Sequence, residues 1–384
     1  MTNPINDPMH TLLDARAKRR AAIGESGAAG AVIAAVEAPS AHAQTATPAA
    51  ATETPSLDAK MNPINPFLDR PVSDLVNLPA LDLSDAEKER HRIYSLLLMA
   101  TLTQFFSGNK YGQNGEYPWR ADQIVDGCVY GGGLYLGHNI ACLAVDGIGN
   151  VIDFDFNHND IFNSSVEHAE SRLVRRIFTI AQGFHNWELR DLTADPVEES
   201  YGNLLSDVTL YTSLESCSQC SGIMTLGRVK DVVYLQHDPS QYNIGNILYN
   251  ITAPSYSPAP RPIPARSIGF DYAADLDDGF VEFIEGVDAK PFYIEGDFIS
   301  KSPSITSYLC TDLVLDIYKR GAAEFASMTL AHPDFAPERE VVAAAEASPN
   351  ARTYPLTNAE ALAAARHFFA FVVKPGRRGT PHRD

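Results

Sequence analysis

Two short pieces constrain this chain more than any other feature. They are Ser165-Val166-Glu167-His168-Ala169-Glu170 and Ser213-Leu214-Glu215-Ser216-Cys217-Ser218-Gln219-Cys220. Each opens an apolar run of helical spacing; the first presents H-A-E and the second S-C-x-x-C. One imidazole and two thiols are donors of the kind Zn²⁺ accepts. Three protein ligands rather than four leave one coordination position for water, as at a catalytic centre. His168, Cys217 and Cys220 are therefore the expected metal ligands. Glu170, two residues past the histidine, is too close in sequence to be an obvious fourth ligand and is expected to move protons. Cys217 and Cys220 stand i,i+3 in the first turn of a helix, where the dipole favours thiolate. A chance histidine with two buried thiols would spell the same letters. A structural zinc site would need a fourth donor, from His185 or His237.

The rest of the chain reads as follows. Residues 1–60, rich in Ala, Pro, Thr and Ser, bury too little apolar surface to offset ordering entropy and are expected to be low-complexity and mostly disordered, with a short helix near Met9–Ala22. Asn3-Pro4-Ile5-Asn6 recurs at Asn62–Asn65. A linker spans 61–84, a main domain 85–330, and a C-terminal helical extension with a basic tail 331–384. Ser84 with Glu87 forms a capping-box signal ahead of a helix over about 85–107. Asn139–Asp146 and Val151–Phe156 read as strands joined by a hairpin at Gly147-Ile148-Gly149-Asn150. A helix runs from Ser164 or Ser165 to about Gln182, a strand over Asp207–Thr212, a helix from Cys217 to Gly227, and a strand over Asp231–Leu235. A short helix at Tyr242–Tyr249 precedes an extended proline loop. Phe280–Ile284 reads as the fifth strand, and helices are expected over Ser304–Arg320 and Asn358–Val372. Parallel neighbours need helical crossovers, so helices between strands three, four and five imply an α/β fold with a mixed five-stranded sheet and flanking helices.

Charge narrows the partners. The net charge is −18 over 384 residues, and residues 85–330 hold 17 Lys and Arg against 33 Asp and Glu. An acidic body disfavours a long nucleic-acid footprint. No apolar run reaches the ~20 residues of a membrane-spanning helix. Five cysteines without a regular framework point to a reducing, cytoplasmic setting, and Cys142 reads as a small buried hydrophobe. Arg16–Arg20, the Ala-rich stretch and Ala41-His42-Ala43 mimic a signal peptide, but Gly24–Gly27 and Glu37 interrupt the apolar segment. Asp275–Gly279 reads as a solvated turn. Gly131-Gly132-Gly133 lacks the lysine of a phosphate loop. Arg172, Arg175 and Arg176 read as a solvated helix face, and Tyr111, Tyr117 and Trp119 as loop packing.

The H-x-E and C-x-x-C pair is the signature of zinc deaminases acting on bases. Asp207–Asp238, with residues 139–176, resembles the cytidine/deoxycytidylate deaminase superfamily, closest in motif to tRNA adenosine deaminases. The resemblance covers about 85–325. It implies a three-layer α-β-α cytidine deaminase-like fold and hydrolytic, Zn²⁺-dependent deamination of an adenine or cytosine base. In that chemistry Glu170 takes a proton from the zinc-held water and passes it to the ring nitrogen and then to ammonia, and the backbone N–H of Cys217 is a candidate for steadying the attacking oxygen. The resemblance also makes Asn157, then Asn159, the candidate substrate contact, with Ala169 beside them, though Asn is equally common in turns. It implies a homo-oligomer as well.

Three departures stand out. Ser216 occupies the family's Pro position, where Ser can serve as an N-cap instead. The 48 residues between His168 and Cys217 exceed the usual spacing, so 183–205 reads as an insertion, and 251–266 as a second. Enclosing insertions favour a free nucleoside or nucleotide over tRNA or single-stranded DNA. A catalytically silent deaminase-fold partner protein is the reading from another class.

Overall fold

The computed structural model describes residues 70–106, 137–159, 162, 164–185, 204–253, 258–289, 293–295, 298–300, 304–338 and 355–373. The expectations for residues 1–69, the loop aromatics, the glycine triplet, Cys128, most of 183–205 and the tail beyond 373 lie outside the described residues.

The elements in order are α1 (Val72–Leu75), α2 (Asp85–Phe105), β1 (Ala141–Val145), β2 (Val151–Phe156), α3 (Ala169–His185), β3 (Thr209–Leu214), α4 (Ser218–Leu226), β4 (Asp231–Gln236), α5 (Ile244–Thr252), β5 (Arg261–Pro264), α6 (Asp271–Ala289), β6 (Tyr293–Glu295), β7 (Phe298–Ser300), α7 (Ile305–Tyr308), α8 (Asp312–Ser327) and α9 (Asn358–Val372). The main sheet has the order β2-β1-β3-β4-β5; β6 and β7 form a separate ribbon. β1 is antiparallel to β2 and β3, whereas β3, β4 and β5 are parallel. This is the mixed five-stranded α/β sheet expected above.

Alternation along the strands sets the layers. On β2, Phe154 and Phe156 pack against Phe105 of α2, while Asp153 and Asp155 bind Arg176 of α3. On β3, Tyr211 meets His91 of α2 and Thr212 meets Glu170 of α3. α2 and α3 therefore cover opposite faces. α2 starts at the predicted capping box: Glu87 N–H donates to Ser84 Oγ and Ser84 N–H to the Glu87 carboxylate. Residues 93–102 are buried on every side of the helix, because α8 and α9 cover what the sheet leaves.

The fifth strand is not Phe280–Ile284 but Arg261-Pro262-Ile263-Pro264, inside the segment read as an insertion. Arg261 N–H donates to Lys230 O on the β4 side. N–H groups two residues apart point the same way, so Pro262 and Pro264 lack theirs on the open edge, where proline is tolerated. Phe280–Ile284, and the supposed turn Asp275–Gly279, lie within α6. Leu276, Phe280 and Phe283 recur at helical spacing, and the two Phe rings pack on Tyr308. The helix expected over Ser304–Arg320 is broken at 309–311, where Thr311 caps α8 by accepting from Val314 N–H. No helix among the described residues is long and apolar enough to cross a membrane.

Candidate active site

The parallel strands end at one rim, and the crevice outside the carboxyl ends of such strands is where α/β sheets bind ligands. Here β3 runs into Glu215-Ser216-Cys217 and β4 into His237-Asp238. Glu215 ties the two ends together: its N–H donates to Gln236 O, and its carboxylate accepts from Asp238 N–H at 3.1 Å and meets His237 Nδ1 at 2.6 Å. His237 is thus engaged by Glu215 rather than by the sulfurs. The side chain of His185, the other suggested fourth donor, lies outside the described residues.

α3 carries H-A-E across from this junction. His168 Nδ1 lies 3.3 Å from Cys217 Sγ and 3.6 Å from Cys220 Sγ. Metal bonds of about 2.0–2.3 Å in a tetrahedron imply donor separations of about 3.5 Å. The donor set fits: these three ligand atoms lie within 4.8 Å of one another, and this is the one such His/Cys/acid group among the described residues. Cys217 is the N-cap of α4 in an extended conformation, so Cys220 is carried one turn into the helix, as the i,i+3 spacing predicted. Gln219 Nε2 donates to Val166 O and Ser171 Oγ, and Ser171 Oγ approaches Cys220 Sγ at 3.6 Å, lacing the two ligand-bearing helices together.

The Cys217 thiol is drawn down to about 4 by the hydrogen bond from Cys220, against its burial, with His168 adding to the effect. Cys220 is pushed up by that same bond and by burial. The bond to Cys217 raises His168. Glu170 is buried, and burial pushes its carboxyl above the ordinary range; the negative Cys217 adds to this, while His168 pulls the other way. A carboxyl that holds a proton more readily is suited to both taking up and releasing one.

These groups open into a cleft of about 810 Å³ whose lining includes Asn157, Asn159, His168, Glu170, Glu215 and Cys217. Asn157 Oδ1 accepts from Ala169 N–H at 2.7 Å, which fixes Nδ2 as the donor end of the amide. Asn159 Nδ2 donates to Ser164 O. Both asparagines line the cleft. Ala169 is fully buried, its N–H is engaged by Asn157, and it does not line the cleft.

Two readings need correction. Arg172 and Arg176 form no solvated face: Arg172 pairs with Glu167 and Asp155, and Arg176 pairs with Asp153 and Asp155 and also donates to Phe154 O. Ser216 is not the N-cap; its hydroxyl donates to Glu170 Oε1 at 3.1 Å, beside Thr212 Oγ1 at 3.2 Å. Sequence reasoning missed Thr212 and the far wall contributed by Phe280, Ser304, Ile305 and Thr306. No local signal marks either, since only the fold brings Thr212 to Glu170 and the wall residues to the cleft.

Neither a protein-family model nor a curated protein matches this chain. Among solved structures, one from a study of A-to-I editing by tRNA:A34 deaminases is 22% identical, covering 33% of this chain and 82% of its own, with a TM-score of 0.23. A guanine deaminase from Nitrosomonas europaea is 19% identical, covering 36% and 74%, with a TM-score of 0.22. The fold stands on the chain's own sheet order and layers.

Proposed function

We propose that the chain is a zinc-dependent hydrolase that deaminates an adenine or cytosine base in a nucleoside or nucleotide. One observation carries this reading. His168, Cys217 and Cys220, distant along the chain, converge at the cleft with the Glu170 carboxyl 3.3 Å from Cys220 Sγ. His168, Cys217 and Cys220 would hold Zn²⁺, and that ion would supply acidification of a water molecule to a pKa of about 7. Glu170 accepts a proton from the attacking water, delivers it to the ring nitrogen, and then protonates the departing amine. The net change is C–NH₂ plus H₂O to C–OH plus NH₃. Glu215, bound to Asp238 and His237, holds the junction that positions Cys217. Leu214, Ile140 and Phe280 offer apolar wall to a base, and the asparagines and Ser304 and Thr306 offer hydrogen bonds at its edge. The volume is within the roughly 300–1,000 Å³ of small-molecule sites.

The test is metal analysis of the purified full chain, together with a panel of nucleosides, nucleotides and oligonucleotides read by mass, since replacing NH₂ by OH adds about one dalton. Turnover of a free nucleoside or nucleotide is the expected result. Preference for oligonucleotides, with binding that falls steeply in salt, would move the substrate to nucleic acid. No turnover of any member by zinc-replete protein defeats the reading. Glu170→Gln is expected to lower kcat by roughly 10²–10⁴-fold with metal content unchanged. Cys217→Ser is expected to lose the metal itself. An active wild type with a dead Glu170→Gln variant removes the silent-partner alternative.

A further inference from the structure

Two hydroxyls hold Glu170, and one of them comes from the position at which this chain departs from the deaminases it resembles. Thr212 Oγ1 and Ser216 Oγ both donate to Glu170 Oε1, at 3.2 and 3.1 Å. The other oxygen, Oε2, accepts from Cys220 Sγ at 3.3 Å, on the side of the three convergent donors. Thr212 and Ser216 are buried, so their bonds to Oε1 are shielded from bulk water, while Glu170 also lines the cleft. Thr212 belongs to β3, and Ser216 stands one residue before Cys217. The turn that presents the first sulfur therefore also presents this hydroxyl. Ser216 has no capping duty: the N-cap of α4 is Cys217, and no side chain caps the helix there.

We propose that Thr212 and Ser216 are positioning residues, a two-hydroxyl clamp that makes Oε2 of Glu170 the oxygen that takes up and releases the proton. The inference rests on the deaminase reading above. Rotation about the terminal torsion of a glutamate is broad and nearly two-fold, so an unrestrained carboxylate exchanges its oxygens. Two donors on one oxygen break that symmetry. An ionised carboxylate accepts both bonds at Oε1. Once Oε2 carries the proton, Oε1 is the carbonyl oxygen and still accepts both. The clamp therefore holds through uptake and release, and it keeps the travelling proton on the oxygen nearest the donor cluster. A proline at position 216 has no side-chain donor and would leave Thr212 alone. The serine thus adds a second restraint that the family's Pro cannot make.

The experiment uses the full-length, metal-loaded chain and whichever panel member it turns over. Ser216→Ala and Ser216→Pro are each expected to lower kcat about tenfold, the factor for losing one hydrogen bond to a charged group, with KM within about twofold. Ser216→Thr keeps the hydroxyl and is expected to stay within about threefold of wild type. Adding Thr212→Val to Ser216→Ala is expected to lower kcat well beyond either change alone. Wild-type kcat in both Ser216→Ala and Ser216→Pro overturns the clamp, and so does a loss confined to KM. Crystal structures give a readout independent of turnover. Wild type should show one Glu170 conformer with Oε2 toward Cys220, and Ser216→Ala alone, or the double variant if it folds, should show that carboxylate rotated or split. An unmoved carboxylate in the variant overturns the clamp even for a protein with no substrate. A clamp seen in the crystal of a chain that turns over nothing defeats the deaminase reading and not the clamp.

Discussion

His91 shows how a single side chain couples the core to solution. It stands on α2, facing the sheet, with Nδ1 2.9 Å from the Tyr211 hydroxyl. Burial draws its pKa down from 6.5 to about 4, Glu87 opposing and Arg90 and Lys230 assisting. Above pH ~6.5 neither the folded nor the unfolded chain protonates it. Between about 6.5 and 4 the unfolded chain alone takes the proton, so stability falls as pH falls across that window and the loss levels off below it. The pH dependence of the urea midpoint should therefore be steeper in wild type than in His91→Gln, by roughly 1–3 kcal/mol accumulated over the window. Parallel midpoint curves would show that His91 titrates normally. The residue scale is also where Ser216 misled. Ser before a helix reads as a cap from sequence, and only the approach of Glu170 from another helix gives its hydroxyl a different partner.

Among the elements, the sequence did not announce the close contact of α2 with α8. A Cβ on Gly321 would come within 2.5 Å of Met99 Cε and 2.6 Å of Met99 Sδ, and Met99 is fully buried. Gly321→Ala gains up to about 1 kcal/mol in helix propensity but overpacks this crossing, which typically costs about 1–3 kcal/mol. A net destabilisation of about 1 kcal/mol is expected in chemical denaturation. In a Met99→Ala background the obstacle is gone and the same change should be neutral or stabilising, so the pair should show coupling in a double-mutant cycle. Additive effects would mean that the helices part without strain. The fifth strand belongs to this scale too. Its alternating prolines read as an extended loop because proline removes ladder donors, and only an edge position with the missing N–H groups turned outward admits it.

Over the whole molecule, α9 is part of the core and not an appendage. Leu356, Ala361, Leu362, Ala365 and Val372 are buried, and Phe368 packs edge-on against Phe154 of β2. Arg90 of α2 donates to Leu356 O and Asn358 Oδ1, and Asn358 Nδ2 returns a bond to Ala86 O. A chain ending at residue 338 uncovers α2 and this edge of the sheet. Its stability is expected to fall by roughly 4 kcal/mol or more, at about 2 kcal/mol per large apolar side chain exposed, and its melting temperature to drop by more than about 8 °C. Melting within about 2 °C of the full chain would show the helix to be dispensable.

Some features follow from local chemistry alone. The capping box that starts α2, the β1–β2 hairpin and the i,i+3 sulfurs each involve neighbours within a few residues, and spacing suffices to read them. The candidate donors His168, Cys217 and Cys220, with Glu170 beside them, were legible for the same reason: their types and intervals are those that a three-ligand metal centre would need. What joins distant segments was decided by the tertiary structure. Arg172 and Arg176 of α3 are drawn into ion pairs by the buried carboxylates of β2, and α6 rather than a strand carries Phe280 to the cleft. The two hydroxyls reach Glu170 only because β3 and α3 are packed face to face. A side chain's partner across the core depends on how elements stack, and no interval along the chain encodes that stacking.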